Sequence, residues 1–532
     1  MAPANATWAD VLARAQADGG ASLRQADVVR AVAGVLQTNA SACVSLGHAF
    51  LPQMLRMLDP TLRLYQMYSE GVCRAIAEGG PHAARSSAVR HLRGVKKAVL
   101  RLVEAFVERC EDQALLADRV VPALLDPVLG DYARSLPDAR DAEALSCFTA
   151  VVNKLGGATA PHVPRILEVR YGHRVRERGD DWSEHANRPR KHTTTHRPNL
   201  SKNLTPTKTN QPPPENQRKN QPKQQTNKSQ QHTKKQIQAV FEPTLAMITL
   251  NFEDYPEHRL RFFALLAAVT NHCFPSLLAM SAPQLKLLMD SIVWAFRHTE
   301  RNVAETGLAL LLDLCTSFSA SPYATPFFTA YYATLVREVM AVMTDAFHKP
   351  GFKLHARVLH LLFAAVRPDA PPPADPHGTA ALAPAPGGLQ PALGPVVPGG
   401  NAVIRAPLWD ASDKGSQAYA GAETAPGAPP GAGNAAYARE FVSQLLASSF
   451  PNLTGQQVAA SVSGMLDLRD FSAFKHHLRD FLVQSRAFAS ADNAELFADE
   501  VAAQRAEQEA RLAAIPGMLP PSAAAANDDM GG

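Results

Sequence analysis

The feature that most constrains the fold is a run of amphipathic helices across residues 252–314. Three apolar stretches recur there, separated by proline-marked or short polar turns. Their apolar residues fall at helical spacing: Phe262, Leu265, Leu266 and Val269; Leu285, Leu288, Ile292, Trp294 and Phe296; and Val303, Leu308, Leu311, Leu312 and Cys315. Because a helix with a wide apolar face must bury it against neighbours, this run predicts a stack of helical pairs. Such a stack predicts function in extended surfaces rather than in one catalytic pocket.

Helical patterns of the same kind fill most of the rest of the chain. We find no convincing period-two run bounded by hairpin turns, which would indicate strands. The sequence therefore predicts an all-α fold, with helical repeats over residues 7–168, 239–367 and 435–491. A terminal helix is predicted over residues 492–515.

Prolines are expected to divide several of these helices. Pro52 predicts a kink or a break. Pro60 is expected to open a new helix, because a missing N–H costs nothing at the first helical position. Pro122 and Pro127 are expected to break the helix over residues 115–129.

Residues 169–238 interrupt the helical pattern. Only eight of these 70 residues are apolar, and the segment is rich in Gln, Asn, Thr, Lys and Pro. Sixteen Lys or Arg stand against five Asp or Glu, whereas the rest of the chain carries 37 basic and 44 acidic residues. Such a composition buries too little apolar surface to offset the entropy of ordering, so we predict disorder here. The helical part is acidic overall, which predicts basic partner surfaces.

Two functional interpretations of this basic insert remain open. A basic polymer binds phosphate without sequence specificity, so the insert could serve as a nucleic-acid-binding arm. Tyr171 and Trp182 are its only large stacking aromatics, so we expect no specific nucleic-acid readout. Alternatively, the segment is a translated intron, because Val169 fits a codon that begins GT and Gln238 fits CAG.

A second compositional break covers residues 368–434, where Pro, Gly and Ala dominate. It predicts a long flexible loop inside or between repeats. The tail over residues 516–532 has little apolar content to hold it and is predicted to be disordered.

The six cysteines indicate a reducing compartment. They are scattered singly in apolar helical stretches, with no CxxC pair, which favours free thiols. The first residues lack the basic flank and apolar run of a signal peptide, and no uninterrupted apolar segment is long enough for a membrane span. We therefore expect no membrane insertion.

Candidate catalytic and metal sites are weak. His258 lies near Asp254 and Glu257, but the DYPEH string is typical of a turn entering a helix, and its spacing matches no zinc motif. His476 and His477 are adjacent on a helix and so point to different faces. We predict no enzyme activity, no catalytic residue, no metal and no cofactor.

Several long strings resemble the exportin-1 family of nuclear export receptors, within the importin-β (karyopherin) superfamily. They are VVNKLGG (151–157), AVFEPTLAMI (239–248), DYPEHR (254–259), NHCFP (271–275), DSIVWAFRHTERNVAETGL (290–308) and FKHHLRDFLVQ (474–484). The resemblance runs with gaps over residues 8–519 and joins residue 168 directly to residue 239, which favours the intron interpretation. It covers the C-terminal part of the family's receptors.

The resemblance implies a HEAT-repeat α-solenoid with disordered insertions. It also implies a shuttling role between nucleus and cytoplasm, with Ran in its GTP form, leucine-rich export-signal cargo and nucleoporins as partners. The family's N-terminal repeats and central cargo groove have no counterpart here, so we expect this chain alone to bind cargo poorly. The alternative function is a helical-repeat scaffold or RNA-associated adaptor that uses the basic insert.

Two surfaces are candidates for partner contacts. The resemblance implies that the terminal helix and tail bias the receptor's cargo groove, with contacts from Glu500, Arg505, Glu507, Glu509 and Arg511. This helix is richer in Ala, and the tail less acidic, than is usual in the family. The charged turn over residues 297–302 is the other candidate, through Arg297, His298 and Arg301, although charged turns of this kind are often merely solvated.

Overall fold

The computed structural model describes residues 2–167, 241–249, 254–367, 377, 407–408, 419, 431–484 and 494–513. Within these residues every regular element is helical and no strand occurs. The prediction of an all-α fold is therefore confirmed. The basic insert (169–238), most of the 368–434 loop and the 516–532 tail lie outside the described residues, so their predicted disorder and the domain boundaries stay predictions.

The helices are joined by short turns, several of them 3₁₀ turns. In chain order they are α1 (Ala2–Ala17), α2 (Ala26–Leu46), α3 (Leu51–Gly79), α4 (Ser87–Arg109), α5 (113–134), α6 (Glu143–Leu155), α7 (Val163–Leu167), α8 (Phe241–Ile248), α9 (Pro256–Leu278), α10 (Ala282–Phe296), α11 (Arg301–Ala320), α12 (Ala324–Met343), α13 (Phe352–Ala365), α14 (Ala432–Ser449), α15 (Gly455–Met465), α16 (Phe471–Gln484) and α17 (Ala498–Ala513).

The helices form a stack of pairs. One set, which we call the main row, packs each helix against the next in the order α2, α4, α6, α9, α11, α13 and α16. The intervening helices pack beside the main row, with α3 on α4, α10 on α11, α12 on α13 and α15 on α16. This alternation is the arrangement of a HEAT-repeat solenoid, in which each pair buries its apolar face against its neighbours.

The three amphipathic helices predicted over residues 252–314 are α9, α10 and α11. Most of the apolar residues predicted from helical spacing are buried there; Trp294 and Leu312 are only partly buried. Helix α11 is long and apolar enough to qualify as a membrane span, but 67% of that stretch is buried in the structure. Packing against α9, α10 and α13 accounts for its apolar surface.

The predicted effects of the prolines are wrong at three positions. Pro60 lies inside α3 and does not open a new helix. The apolar residues before and after it, including Met57 and Leu62, are buried in one core, so tertiary packing outweighs the lost hydrogen bond. Pro122 and Pro127 do not break α5 either.

Helix α5 continues past its two prolines because its turns widen. Residues Leu116–Val120 and Leu125–Leu129 are π-helical turns. A proline has no N–H for the carbonyl four residues earlier, and the longer π-type bonding accommodates that gap. Pro52 lies in the first turn of α3, directly after the break between α2 and α3 over residues 47–50, so the predicted break is confirmed there and the alternative of a kink is not.

The helices on either side of the basic insert pack directly on each other. Helix α9 packs against α6, and Cys273 Sγ donates to the backbone oxygen of Gly156 at 3.3 Å. The hydroxyl groups of Tyr132 and Thr244 are hydrogen-bonded at 2.8 Å. The repeat before the insert therefore continues into the repeat after it.

All six cysteines are free thiols, and five of them are buried. Burial raises the pKa of Cys43 and Cys273 to about 11 and raises the pKa of Cys147 and Cys315 further. A thiol that stays protonated is a poor nucleophile, so these four act as small apolar side chains.

Candidate partner-binding turn and terminal helix

The candidate turn joins α10 to α11, at the edge of the stack where the main-row helices begin. Its centre is His298, which is 2% exposed. The ring Nδ1 of His298 accepts a hydrogen bond from the backbone N–H of Glu300 at 2.9 Å. The ring also packs edge-on against Trp294, with 5.1 Å between centroids. His298 therefore acts inside the turn as a cap for the chain that enters α11.

The two arginines of the turn occupy different environments. Arg297 Nη1 lies 3.0 Å from the carboxylate of Glu338 on α12, and both side chains are mostly buried. Arg301 pairs at 2.7 Å with Glu305 on the same exposed face of α11. Arg301 is thus the exposed member of the predicted trio, whereas Arg297 fastens the turn to α12.

A close helix contact sets the position of this turn. A Cβ atom added at Gly307 would lie 2.7 Å from the backbone nitrogen of Phe296 and 2.8 Å from the Cβ of Ala295. The start of α11 can therefore approach the end of α10 only because residue 307 has no side chain.

Replacing Gly307 with alanine is expected to lower the free energy of unfolding by about 1–3 kcal/mol, because the new methyl group meets backbone. The matched control is Gly94→Ala in α4, where nothing lies within 4 Å of the new Cβ. That change should stabilise the chain by about 1 kcal/mol through helix propensity. Urea unfolding of both variants measures the difference, and equal stabilities would contradict the close contact.

The terminal helix begins from an anchored turn. Leu496, in the 3₁₀ turn Ala494–Phe497, is 3% exposed. The guanidinium of Arg479 on α16 lies 4.3 Å from the ring centroid of Phe497. A cation–π contact and one buried leucine thus fix the start of α17.

Beyond this anchor, the described side chains of α17 are exposed from residue 501 to residue 511. Arg505, Glu507, Glu509 and Arg511 all lie in this stretch, and Glu507 and Arg511 form an i,i+4 ion pair. The side chain of Glu500 is not among those that the structure describes. An exposed i,i+4 pair contributes only a few tenths of a kcal/mol to stability, so these charges are available for contacts with a partner.

Sequence reasoning missed a buried ion cluster centred on Lys96. The side chain of Lys96 is fully buried, and its Nζ lies 2.7 Å from Asp131 Oδ2 and 3.1 Å from Asp141 Oδ2. Asp131 also accepts hydrogen bonds from Tyr65, at 2.7 Å, and from Ser69. This cluster joins α3, α4, α5 and the segment that leads into α6.

One sequence signal could have identified this cluster. Lys96 lies within the apolar stripe of α4, four residues after Leu92 and three before Val99. A charge on a buried face requires a buried countercharge. The run DARDAE over residues 138–143 supplies one such countercharge in Asp141, and a second acid in it, Glu143, is buried beside Lys97, Arg101 and Arg261.

Among the residues that the structure describes, no group of three or more His, Cys, Asp or Glu side chains could hold a metal ion. His258, His476 and His477 join no such group within these ranges.

Comparison with known proteins shows where similarity lies along the chain. The pattern of a family described as CRM1 C terminal matches residues 53–171, 222–373 and 408–490. Its two gaps fall inside the basic insert and the 368–434 loop.

The relatives share similarity over nearly the whole chain. Protein EXPORTIN 1A of Arabidopsis thaliana is 38% identical over 523 residues, which are 98% of this chain and 38% of that protein. Exportin-1 of Schizosaccharomyces pombe is 31% identical over 528 residues, with coverage of 98% and 38%. Exportin-1 of Drosophila melanogaster is 29% identical over 524 residues, with coverage of 97% and 38%. The chain thus spans about 38% of the length of these relatives.

Proposed function

The chain belongs to the CRM1 C-terminal family, and we therefore propose that it forms the C-terminal portion of a nuclear export receptor. In this role it acts in the export of proteins that carry leucine-rich export signals, in a manner dependent on Ran in its GTP form. The observation that carries the proposal is the match of the chain, over 97–98% of its length, to relatives named exportin-1. The main row agrees with this match, because it continues from the repeat before the basic insert to the repeat after it.

The architecture suits a receptor that works by changing shape. In a stack of helical pairs each pair contacts mainly its neighbours, so small rotations add up along the row. Two ligands that favour the same curvature then bind cooperatively, because each shifts the same conformational equilibrium. The role is binding rather than catalysis, and the buried, protonated thiols support this.

The partners follow from the same proposal. They are Ran in its GTP form, export-signal cargo and nucleoporins, and the protein shuttles through the nuclear pore between nucleus and cytoplasm. The exposed charges at Arg301 and along α17 are the surfaces we propose for partner contacts. Arg297 and His298 support them by holding the turn in place.

A chimera tests the proposal. The matching C-terminal region of the Schizosaccharomyces pombe exportin-1 is replaced by this chain, and binding of a labelled export-signal peptide is titrated with Ran loaded with a non-hydrolysable GTP analogue or with GDP. We expect the GTP analogue, and not GDP, to tighten peptide binding by a coupling factor of about 5–150. Equal peptide affinity in both nucleotide states, in a chimera that folds as judged by circular dichroism, would contradict the proposal.

A second chimera tests the terminal helix. Arg505, Glu507, Glu509 and Arg511 are all changed to Gln, which removes exposed charges with little cost in stability. If α17 biases the receptor, peptide affinity changes while the thermal midpoint does not. Unchanged affinity would remove these four residues as contacts and leave the proposed receptor function standing.

A further inference from the structure

A basic cleft lies at the edge where three main-row helices begin. It has a volume of about 350 Å³ and is lined by residues that precede or open α4, α6 and α9. Four arginines line it, Arg85, Arg90, Arg93 and Arg140, against one carboxylate, Asp138. The local charge is therefore opposite to the acidic balance of the helical part as a whole.

The helix directions add to this positive potential. Helix α6 packs between α4 and α9, and the cleft is lined by Arg85 and Arg90 near the start of α4, by Asp138 and Arg140 just before α6, and by His258 in the first turn of α9. The three N-termini thus lie side by side at one edge. Each contributes the positive end of a helix dipole, which favours anions.

The arginines of the cleft differ in how far they are already engaged. Arg93 donates to Asp141 Oδ1 and to the backbone oxygens of Asp138 and Arg140, at 2.6–2.9 Å. Arg85 forms a two-pronged contact with Asp138 at 2.8 and 3.1 Å. Arg90 is exposed, and no side-chain partner for it occurs in the described part of the chain. Its guanidinium is therefore free to take a ligand.

His258 supplies an observation that is independent of these charges. Its side chain is 9% exposed and forms part of the cleft wall. Its Nε2 atom is buried and has no hydrogen-bond partner. A buried polar atom without a partner costs free energy, which a hydrogen bond to a bound ligand would recover.

We propose that this cleft binds an extended acidic peptide segment of a partner protein. Neighbouring helices lie about 8–10 Å apart, so three helix starts span roughly 20 Å. An extended peptide advances about 3.3 Å per residue, so about six residues cover this length, with alternate side chains facing the cleft. Glu or Asp at those positions meets Arg90 and the helix N-termini, and the peptide backbone carries both donors and acceptors that can pair with His258 Nε2. A single phosphate ion does not span this length.

Charge reversal at one exposed position tests this inference on the full chain. The probe is a fluorescent peptide with glutamate at alternate positions, and its matched control carries glutamine instead. Arg90→Glu removes the free guanidinium, and a glutamate there is compatible with the first turn of α4 because it faces the positive end of the helix. The control variant is Arg30→Glu, which makes the same charge change on an exposed position of α2.

We expect Arg90→Glu to raise the Kd of the glutamate peptide about tenfold or more, which is the size of one lost charge-assisted hydrogen bond. Arg30→Glu should leave the Kd within about twofold. The basic insert attracts the peptide equally in both variants, so it cannot produce this difference. Equal effects of the two variants, or equal binding of the glutamine peptide, would overturn the proposal. Displacement of the peptide by inorganic phosphate at equal concentration would identify a phosphate site instead and would also overturn it.

Discussion

Replacing Lys96 with methionine is expected to lower the free energy of unfolding by about 3–5 kcal/mol. Lys96 lies between two buried carboxylates, Asp131 and Asp141, each of which is 3% exposed. Methionine fills nearly the same volume but leaves both carboxylates without their ammonium. An uncompensated buried charge costs several kcal/mol, which is far more than the loss of packing.

The electrostatics of the cluster agree with this expectation. Burial alone would raise the pKa of Asp131, but the Lys96 ammonium and the hydrogen bonds from Ser69 and Tyr65 together hold that pKa below its ordinary value. Burial likewise opposes the charge on Lys96, and the carboxylates of Asp141 and Asp131 together raise its pKa. Each partner thus keeps the other ionised in the folded state.

The matched control for this prediction is Lys286→Met. Lys286 forms an exposed i,i+4 pair with Asp290 at 2.7 Å, and such pairs contribute about 0.3–0.5 kcal/mol. Urea unfolding at neutral pH compares the two variants. Adding Asp131→Asn to Lys96→Met should recover part of the loss, because it removes one of the stranded charges. A Lys96→Met variant no less stable than Lys286→Met would show that the cluster contributes little to folding.

The helices could be predicted from the sequence because their signals are local. The apolar residues of α9, α10 and α11 repeat within a few positions, and helix α6 runs from Glu143 to Leu155, up to the Gly156 that ends it. Gly156 has a φ of 54°, a conformation that glycine adopts without strain.

What could not be predicted depends on contacts between residues far apart in the sequence. The position of Lys96 in an apolar stripe indicates a buried countercharge, but no local pattern shows that residues 131 and 141 supply it. Pro60 is tolerated inside α3 because the apolar residues before and after it are buried in the same core. The candidate turn was found from its charges, but the burial of His298 depends on the turn before α13, where His348 Nε2 donates to the backbone oxygen of His298 at 3.1 Å.

The basic insert could be recognised from its composition, and the residues before and after it form hydrogen bonds with each other. Arg140 Nη1 donates to the backbone oxygen of Pro243 at 2.8 Å, and Ser276 Oγ donates to the backbone oxygen of Ala160 at 3.2 Å. Arg140 and Ala160 lie in the turns on either side of α6, whereas Pro243 and Ser276 lie on α8 and α9. Residues before 169 and after 238 thus complete one repeat interface.

Lowering the pH from 7 to 5 is expected to cost the fold about 4 kcal/mol, about half of it at each of two buried histidines. The pKa of His258 is lowered to about 4, mainly by burial and also by the charges of Arg93 and Lys97, against the opposing effects of the Arg140 carbonyl and Glu143. Burial also lowers the pKa of His355 to about 4; the nearby His348 acts in the same direction, and the Gly351 carbonyl acts against both.

Stability falls with falling pH because the unfolded chain takes up protons that the folded chain does not. In the unfolded chain both histidines have a pKa near 6.5, so below that pH the unfolded state binds protons that the folded state does not. The stability that the neutral histidines provide is present above pH 6.5 and is lost as the pH falls towards 4. The carboxylates of Asp131 and Asp138 have lowered pKa values in the folded chain and protonate only below this window, so they do not contribute between pH 7 and pH 5.

Urea unfolding at pH 7 and pH 5 measures this loss. The variants His258→Gln and His355→Gln should each reduce the difference between the two pH values by about 2 kcal/mol, even where they lower stability at pH 7. His82→Gln serves as the control, because His82 is exposed and should leave the difference unchanged. If both buried-site variants kept the full pH dependence, the titrating groups would have to lie elsewhere.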